Sequence, residues 1–321
     1  MLLEVEDLVT EFRTRAGALR AVDRVSFGLE RGETLGIVGE SGSGKSAIAQ
    51  SIMRLVQPPG RVAGGRIRLD GEDLLALPEA AMRRLRGARI AMIFQDPTST
   101  LNPVLTVGEQ IAELLRCHRG LGRRAARAEG VAMLERVGIP AADTRYDSFP
   151  HELSGGMQQR VIIACALVLH PELVIADEPT TALDVTVQAQ ILDLLRRLQE
   201  SERGTAIILI THNLGIVAEL CERVAVVYAG RIVEIGPVRR ILEAPRHPYT
   251  AGLIASIPRL DGGEGELQPI PGTVADPLRP PPGCRFHPRC PRAFERCRSE
   301  APAAHAQPDG AVACHLYDPA R

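Results

Sequence analysis

No stretch of this chain constrains its fold more than Gly39-Glu40-Ser41-Gly42-Ser43-Gly44-Lys45-Ser46, which fits the phosphate-loop pattern G-x-x-x-x-G-K-[ST]. Just before it, Leu35-Gly36-Ile37-Val38 is an apolar run of buried-strand type. Just after it, Ile48, Ile52, Leu55 and Val56 recur at helical spacing and predict a helix that Pro58-Pro59 stops. Strand, glycine loop and helix form the context that gives the motif its meaning. The glycines let the backbone curl so that successive N–H groups point inward, and the positive end of the helix dipole adds to the attraction for phosphate. In such a loop Lys45 would reach β- and γ-phosphates. The Ser46 hydroxyl would hold Mg²⁺, a hard ion that prefers oxygen ligands.

At 321 residues, 45% of them hydrophobic, the chain has room for one large core and a smaller second unit. Its 38 basic and 39 acidic residues nearly cancel and only 3% are aromatic, so neither an overall field nor stacking platforms suit nucleic acid. Arg83, Arg84, Arg86 and Arg89, and Arg119, Arg123, Arg124 and Arg127, read as solvated helix faces. The opening Met1-Leu2-Leu3-Glu4-Val5-Glu6-Asp7 is acidic and too briefly apolar for a signal peptide. The longest apolar run, 161–169, is about half of the ~20 residues that span a membrane. The expectation is a cytosolic chain, or one held to a membrane by other chains. Its seven cysteines then read as free thiols or metal ligands.

Residues 3–35 alternate apolar and polar, which suits half-exposed antiparallel strands; Phe12, among them, is core or offers its face to a purine. Arg66-Ile67-Arg68-Leu69-Asp70-Gly71 reads as a strand with a turn, and 96–148 as a helical insertion with Thr106 a candidate N-cap. Three further apolar runs resemble the one before the phosphate loop. Residues 90–94 end at Gln95, 173–176 at Asp177-Glu178, and 206–210 at Thr211-His212. In an open α/β sheet ligands bind beyond the carboxyl ends of the strands, so all four ends are expected to converge on one nucleotide. Asp177 would orient Mg²⁺ through water, and Glu178 would take the proton of the water attacking the γ-phosphate. Ser154-Gly155-Gly156, leading through Gln158 into an apolar helix, reads as a second anion-binding helix start or as an N-cap alone.

These residues together resemble an ATP-binding cassette (ABC) ATPase over nearly the whole chain. Gly39 to Ser46 resembles Walker A, Gln95 the Q-loop, Leu153 to Gln158 the signature motif, and Leu173 to Glu178 Walker B. Ala182-Leu183-Asp184 resembles the D-loop and His212 the switch histidine. The resemblance implies an α/β P-loop NTPase fold with a RecA-like core, an antiparallel β subdomain and a helical subdomain. It implies that Phe12 stacks on adenine and that residues 39–46 with Ala47 bind nucleotide, as do Ser154, Gly155, Gly156, Gln158 and Asp184. Gln95, Glu178 and His212 would be catalytic, with Ser46, Gln95 and Asp177 serving Mg²⁺. Two such subunits would dimerise head to tail, each signature loop closing on ATP held by the other's Walker A.

Beyond about Val238 the chain carries Pro245-Arg246-His247-Pro248-Tyr249-Thr250, Pro258-Arg259-Leu260, and a tail dense in Pro, Arg and Cys. This resembles the oligopeptide and dipeptide importer branch, so the expected domains are a cassette over 1–257 and an extension over 258–321. Cys284, Cys290, Cys297 and Cys314 are spaced C-x5-C-x6-C-x16-C, neither the common zinc nor the usual ferredoxin pattern. The branch resemblance implies a [4Fe–4S] cluster on these thiolates; zinc, with His287 or His315, and four unligated thiols are the alternatives. Cys117, Cys165 and Cys221 read as core. The implied function is the ATPase that powers di- or oligopeptide import from the cytoplasmic face of the plasma membrane. The implied partners are a second, homologous ATPase subunit forming a heterodimer, two transmembrane permeases and an extracytoplasmic peptide-binding protein. Import of nickel or another chelate by the same machine, and a soluble non-transport ABC ATPase, are the rival readings.

Overall fold

The computed structural model describes residues 1–180, 185–201, 204–256 and 270–319, and its element order follows the apolar runs of the sequence. In chain order the strands are β1 (Leu3–Thr14), β2 (Gly17–Leu29), β3 (Thr34–Val38), β4 (Gly60–Leu69), β5 (Glu72–Asp73) and β6 (Ile90–Ile93). They continue as β7 (Leu173–Asp177), β8 (Ala206–Thr211), β9 (Arg223–Tyr228), β10 (Arg231–Pro237), β11 (His305–Gln307) and β12 (Gly310–Val312). The helices are α1 (Lys45–Ile52), α2 (Glu79–Leu85), α3 (Pro97–Thr100), α4 (Val107–Arg119), α5 (Arg123–Arg136) and α6 (Ala142–Tyr146). After them come α7 (Gly155–Leu167), α8 (Val185–Ser201), α9 (Leu214–Leu220), α10 (Val238–Glu243), α11 (Pro248–Ala255) and α12 (Glu295–Ser299). Among the described residues no helix is long and apolar enough to cross a membrane.

The chain divides into two compact units, one of Met1–Leu29, Thr34–Leu75 and Ile210–Arg321, the other of Glu30–Glu33 and Ala76–Leu209. In the first unit the period-two alternation becomes an antiparallel sheet in the order β2-β1-β4-β5. Leu3, Val5, Leu8, Val22, Val25 and Leu29 are buried, while Glu4 and Glu6 pair across to Arg68 and Arg66 at 3.4 and 3.2 Å. β3 is buried throughout and runs parallel to β9, with Val38 opposite Val226. β9 then pairs antiparallel with β10, and β10 with β12, through Glu234↔Val312 and Ile235↔Ala311. The Cys-rich segment is thus strand-paired into the unit that carries the phosphate loop. The helix expected to run to Val56 stops at Ile52: Arg54 takes a left-handed φ of 52° and donates to the Leu74 carbonyl at 3.0 Å. Val56 packs on Gly60 instead.

In the second unit β6 and β7 run parallel, with Ile90 opposite Leu173 and Ile93 opposite Ala176. The 96–148 insertion is helical as expected, and Thr106 caps α4 by accepting the Glu109 N–H at 3.2 Å. The Tyr146 ring fills the space against Gly108 and Gly130, where a Cβ would stand 2.2 and 2.8 Å from ring atoms. The arginine-rich faces are paired with neighbouring acids: Arg86 with Glu79, Arg89 with Glu172, Arg119 with Glu129 and Arg127 with Asp147. Cys117, expected in the core, is exposed. The buried stripe of α4 runs through Val107, Gly108, Ile111, Ala112 and Leu115, and Cys117 falls off that 3.6-residue period. Cys165 and Cys221 fit the expectation better, with burial pushing both thiols up to about 12.

Candidate nucleotide site

The first unit builds the phosphate loop between β3 and α1. Gly39 has φ +158°, and a Cβ there would stand 2.2 Å from the Val227 carbonyl oxygen; Gly44 has φ +103°, and a Cβ would stand 2.1 Å from that of Ala21. Both positions therefore exclude any side chain, as well as favouring glycine by conformation. Lys45 is only 6% exposed, and its Nζ donates to the carbonyls of Gly39 and Glu40, both at 2.9 Å, so the loop curls around its own cation. α1 has neither a side-chain cap nor an acidic residue in its first turn, which leaves the positive end of its dipole uncompensated by sequence. Ser43 Oγ is buried without a hydrogen-bond partner, the kind of orphaned group that a bound polar ligand satisfies. Ser41 and Gly42 are exposed, and Ser46 and Ala47 half-buried. The arrangement suits a polyanion.

Glu40 is the exception to this inward-facing chemistry. Its carboxylate makes a double ion-paired contact with Arg289, Nη1–Oε2 at 2.8 Å and Nη2–Oε1 at 3.0 Å, and its N–H donates to the Tyr249 hydroxyl at 3.0 Å. Neither partner was visible as a site residue: Tyr249 belongs to a stretch noted only for its family likeness, and Arg289 is one arginine in an arginine-rich tail. Phe12 is half-buried, its ring against Gly60, where a Cβ would stand 2.5 Å away. His212 stands exposed directly after β8, ahead of the Asn213 cap on α9.

In the second unit the β6–β7 register brings the residues just beyond the two strands together. Gln95 Nε2 donates to Glu178 Oε2 at 3.1 Å. Glu178 holds a left-handed φ of 46°, a conformation that costs a non-glycine residue roughly 1–2 kcal/mol. Its neighbour Asp177, still on the strand, is 5% exposed. The two carboxylates consequently occupy different environments. Ser154 caps α7, its Oγ accepting the Met157 N–H at 3.4 Å, while Gln158 Nε2 donates back to the carbonyls of Pro150 and Leu153 at 2.8 and 3.2 Å. Gly156 lies directly against α8, where a Cβ would meet Val187 Cγ1 at 2.8 Å. Asp184 lies outside the described residues.

Of the four tail cysteines, Cys284 and Cys297 are tied directly, the Cys284 N–H donating to the Cys297 carbonyl at 2.9 Å. Burial pushes the Cys284 thiol up to about 11, and raises Cys290 and Cys314 as well. The donor set suits a soft, thiolate-loving metal. The geometry is not that of a formed cage: among the described residues no group of three or more His, Cys, Asp or Glu side chains is arranged to hold a metal ion. The histidines of the zinc alternative each engage a backbone carbonyl, His287 Nδ1 that of Cys284 and His315 Nε2 that of Glu300, both at 2.9 Å.

Comparison with known proteins agrees with this architecture. Residues 22–181 match the ABC transporter family and residues 233–297 the oligopeptide/dipeptide transporter C-terminal region. The dipeptide transport ATP-binding protein DppD of Bacillus subtilis is 50% identical over 319 residues, covering 99% of this chain and 95% of that protein. Among solved structures, an ATP-binding cassette captured as a dimer in a post-hydrolysis state with ADP and phosphate is 27% identical, with a TM-score of 0.67 over 74% of this chain and 99% of that one. Cassette cbiO1 of Clostridium perfringens, part of the cbiONQ transporter complex, is 29% identical, with a TM-score of 0.63 over 76% of this chain and 91% of that one. The fold is that of an ABC cassette, and the chain belongs to the ABC transporter ATPase family, in the branch that carries the oligopeptide/dipeptide transporter C-terminal region.

Proposed function

We propose that this chain is the ATP-hydrolysing subunit of an importer of dipeptides or oligopeptides. The observation that carries this reading is the near full-length likeness to a dipeptide transport ATP-binding protein, including the C-terminal region that a bare cassette lacks. Neither family match speaks for nickel or another chelate as cargo. Lys45, the loop amides and the N-terminus of α1 would hold the phosphates, with Phe12 against the base. Ser46, Asp177 and Gln95 would hold Mg²⁺, which when bound neutralises charge on the phosphate oxygens. Glu178 would accept the proton of the attacking water, kept in aim by Gln95 and by its own left-handed backbone, and His212 would address the γ-phosphate. Residues 154–156 with Gln158, and Asp184, would act on the nucleotide of the other ATPase subunit in a head-to-tail dimer.

Hydrolysis would reopen that dimer and drive two permease subunits at the cytoplasmic face of the membrane, supplied by an extracytoplasmic peptide-binding protein. The second ATPase subunit would be a homologue rather than a copy. The cassette would extend over 1–257 and the extension over 258–321, with Cys284, Cys290, Cys297 and Cys314 taking a [4Fe–4S] cluster in a structural role. The soft sulfur donor set of these four side chains supports that last assignment. The deciding experiment is uptake of labelled dipeptide by proteoliposomes that hold the assembled importer. Lys45→Ala is expected to abolish ATP binding by the isolated subunit and uptake by the complex. Uptake that persists in that variant, or an importer indifferent to peptides, would overturn the proposal.

A further inference from the structure

Glu40 occupies the second position of the phosphate loop, where an unneutralised carboxylate would repel the anion that the loop is shaped to hold. The neutralising charge comes from 249 positions away. The Arg289 side chain is only 5% exposed, and besides its fork on Glu40 it donates from Nε to the Pro271 carbonyl at 2.9 Å and from Nη2 to that of Ile270 at 3.3 Å. Its Nη1 also lies 3.4 Å from the Tyr228 hydroxyl, and its guanidinium carbon 5.8 and 6.0 Å from the Tyr228 and Phe286 ring centroids. All three of its nitrogens are thus engaged. The rings of Tyr228, Tyr249 and Phe286 form one cluster, with centroids 4.6 to 5.4 Å apart. From it Tyr249 reaches the Glu40 N–H, while His247 Nδ1 accepts the Tyr249 N–H at 3.0 Å and the His247 N–H donates to buried Glu234 at 2.9 Å. The C-terminal region thereby grips Glu40 twice, by its backbone and by its charge.

We propose that Arg289 is a positioning residue for the phosphate loop, through which the C-terminal region sets nucleotide affinity by pinning and neutralising Glu40. The proposal rests on the reading of residues 39–46 as the ATP-binding loop. It differs from a merely structural ion pair in one consequence. If Arg289 only held the fold together, its loss would lower the urea midpoint and leave the ATP affinity of the folded chain unchanged; if it neutralises Glu40, affinity falls and removing Glu40 as well restores it.

The test measures Mg·ATP affinity of the full chain by calorimetry, beside its urea unfolding midpoint. Arg289→Gln is expected to weaken binding roughly tenfold, within the ~5- to 150-fold span of couplings between two parts of one molecule. Adding Glu40→Gln is expected to bring affinity back to within about threefold of the unaltered chain, since the repelling charge is gone. In the assembled complex KM for ATP should rise in R289Q with kcat unchanged, the sign of lost ground-state binding. Should R289Q not fold, Arg289→Met, which keeps a long apolar stem among the rings but removes the charge, carries the same comparison. Unchanged affinity in a folded R289Q, or a double variant weaker than R289Q, overturns the proposal. Lys45→Ala separates the two readings: wild-type affinity there overturns the phosphate-loop assignment and this one with it. Lost binding in K45A beside unchanged binding in R289Q overturns this one alone.

Discussion

At the scale of single residues, Glu178 is where geometry and chemistry coincide. Its strained φ of 46° sets it apart from Asp177, and Gln95 holds its carboxylate at 3.1 Å. Glu178→Gln keeps the shape and the hydrogen-bonding partner but cannot accept a proton. The expected result is ATP binding near the unaltered level and hydrolysis by the assembled complex lower by about 10²- to 10⁴-fold, the usual contribution of a positioned general base. Near-normal turnover would move the base elsewhere. The acidic pair beyond β7, and separately the lysine and glycines between β3 and α1, were legible in the sequence as local patterns of strand, turn and helix. Arg289 was not, since a contact between residues 249 positions apart leaves no periodicity to read, and its neighbours Cys290 and Pro288 draw attention to other chemistry.

At the scale of elements, α7 carries the segment that resembles a signature motif. Ser154 stands at its N-terminus while Val161, Ile162, Ile163 and Ala164 are buried, so the helix is held by its apolar body rather than by its cap. Loss of such a cap costs about 0.5–2 kcal/mol, and the 3.4 Å Oγ–N distance puts this one at the lower end. Ser154→Arg should therefore leave the isolated subunit folded and its ATP affinity unchanged while abolishing hydrolysis in the complex. In a dimer with one altered subunit, the site that fails should be the phosphate loop of the unaltered partner. Failure confined to the altered subunit's own loop would refute the head-to-tail arrangement. Elements with a clean period match the reading: antiparallel strands β1 and β2 from alternation, and β3, β6, β7 and β8 from apolar runs. Where hydrophobic spacing outran the helix, at Leu55 and Val56, the left-handed turn at Arg54 decided the matter. The β10–β12 pairing is not legible in the sequence because a three-residue strand carries too short a pattern.

At the scale of the whole molecule, the Cys-rich tail is tied to the first unit by contacts that owe nothing to its thiols. β12 pairs with β10, Phe286 is 2% exposed within the aromatic cluster, and Arg285 joins Arg231 on buried Asp23. Burial opposes ionisation of Asp23, but the hydrogen bond and charge of Arg231, with Arg285, outweigh it and hold the carboxyl below its usual range. A cluster on Cys284, Cys290, Cys297 and Cys314 would thus organise only the loops between these anchors. Protein purified without oxygen is expected to be brown and to contain about four irons and four sulfides per chain, as four thiolates around a cubane require. Cys297→Ser should bleach it. Because metal binding supplies folding energy where apolar burial is scarce, protease should then cut within 290–297 while 305–312, held by strand pairing, stays protected. The bleached variant should still bind ATP, weakened by no more than Arg289→Gln brings, since the ring cluster and the strand pair continue to carry the Glu40 brace. Stoichiometric zinc without a visible absorption band would retire the cluster, and a bleached variant as protease-resistant as the unaltered chain would remove its structural role.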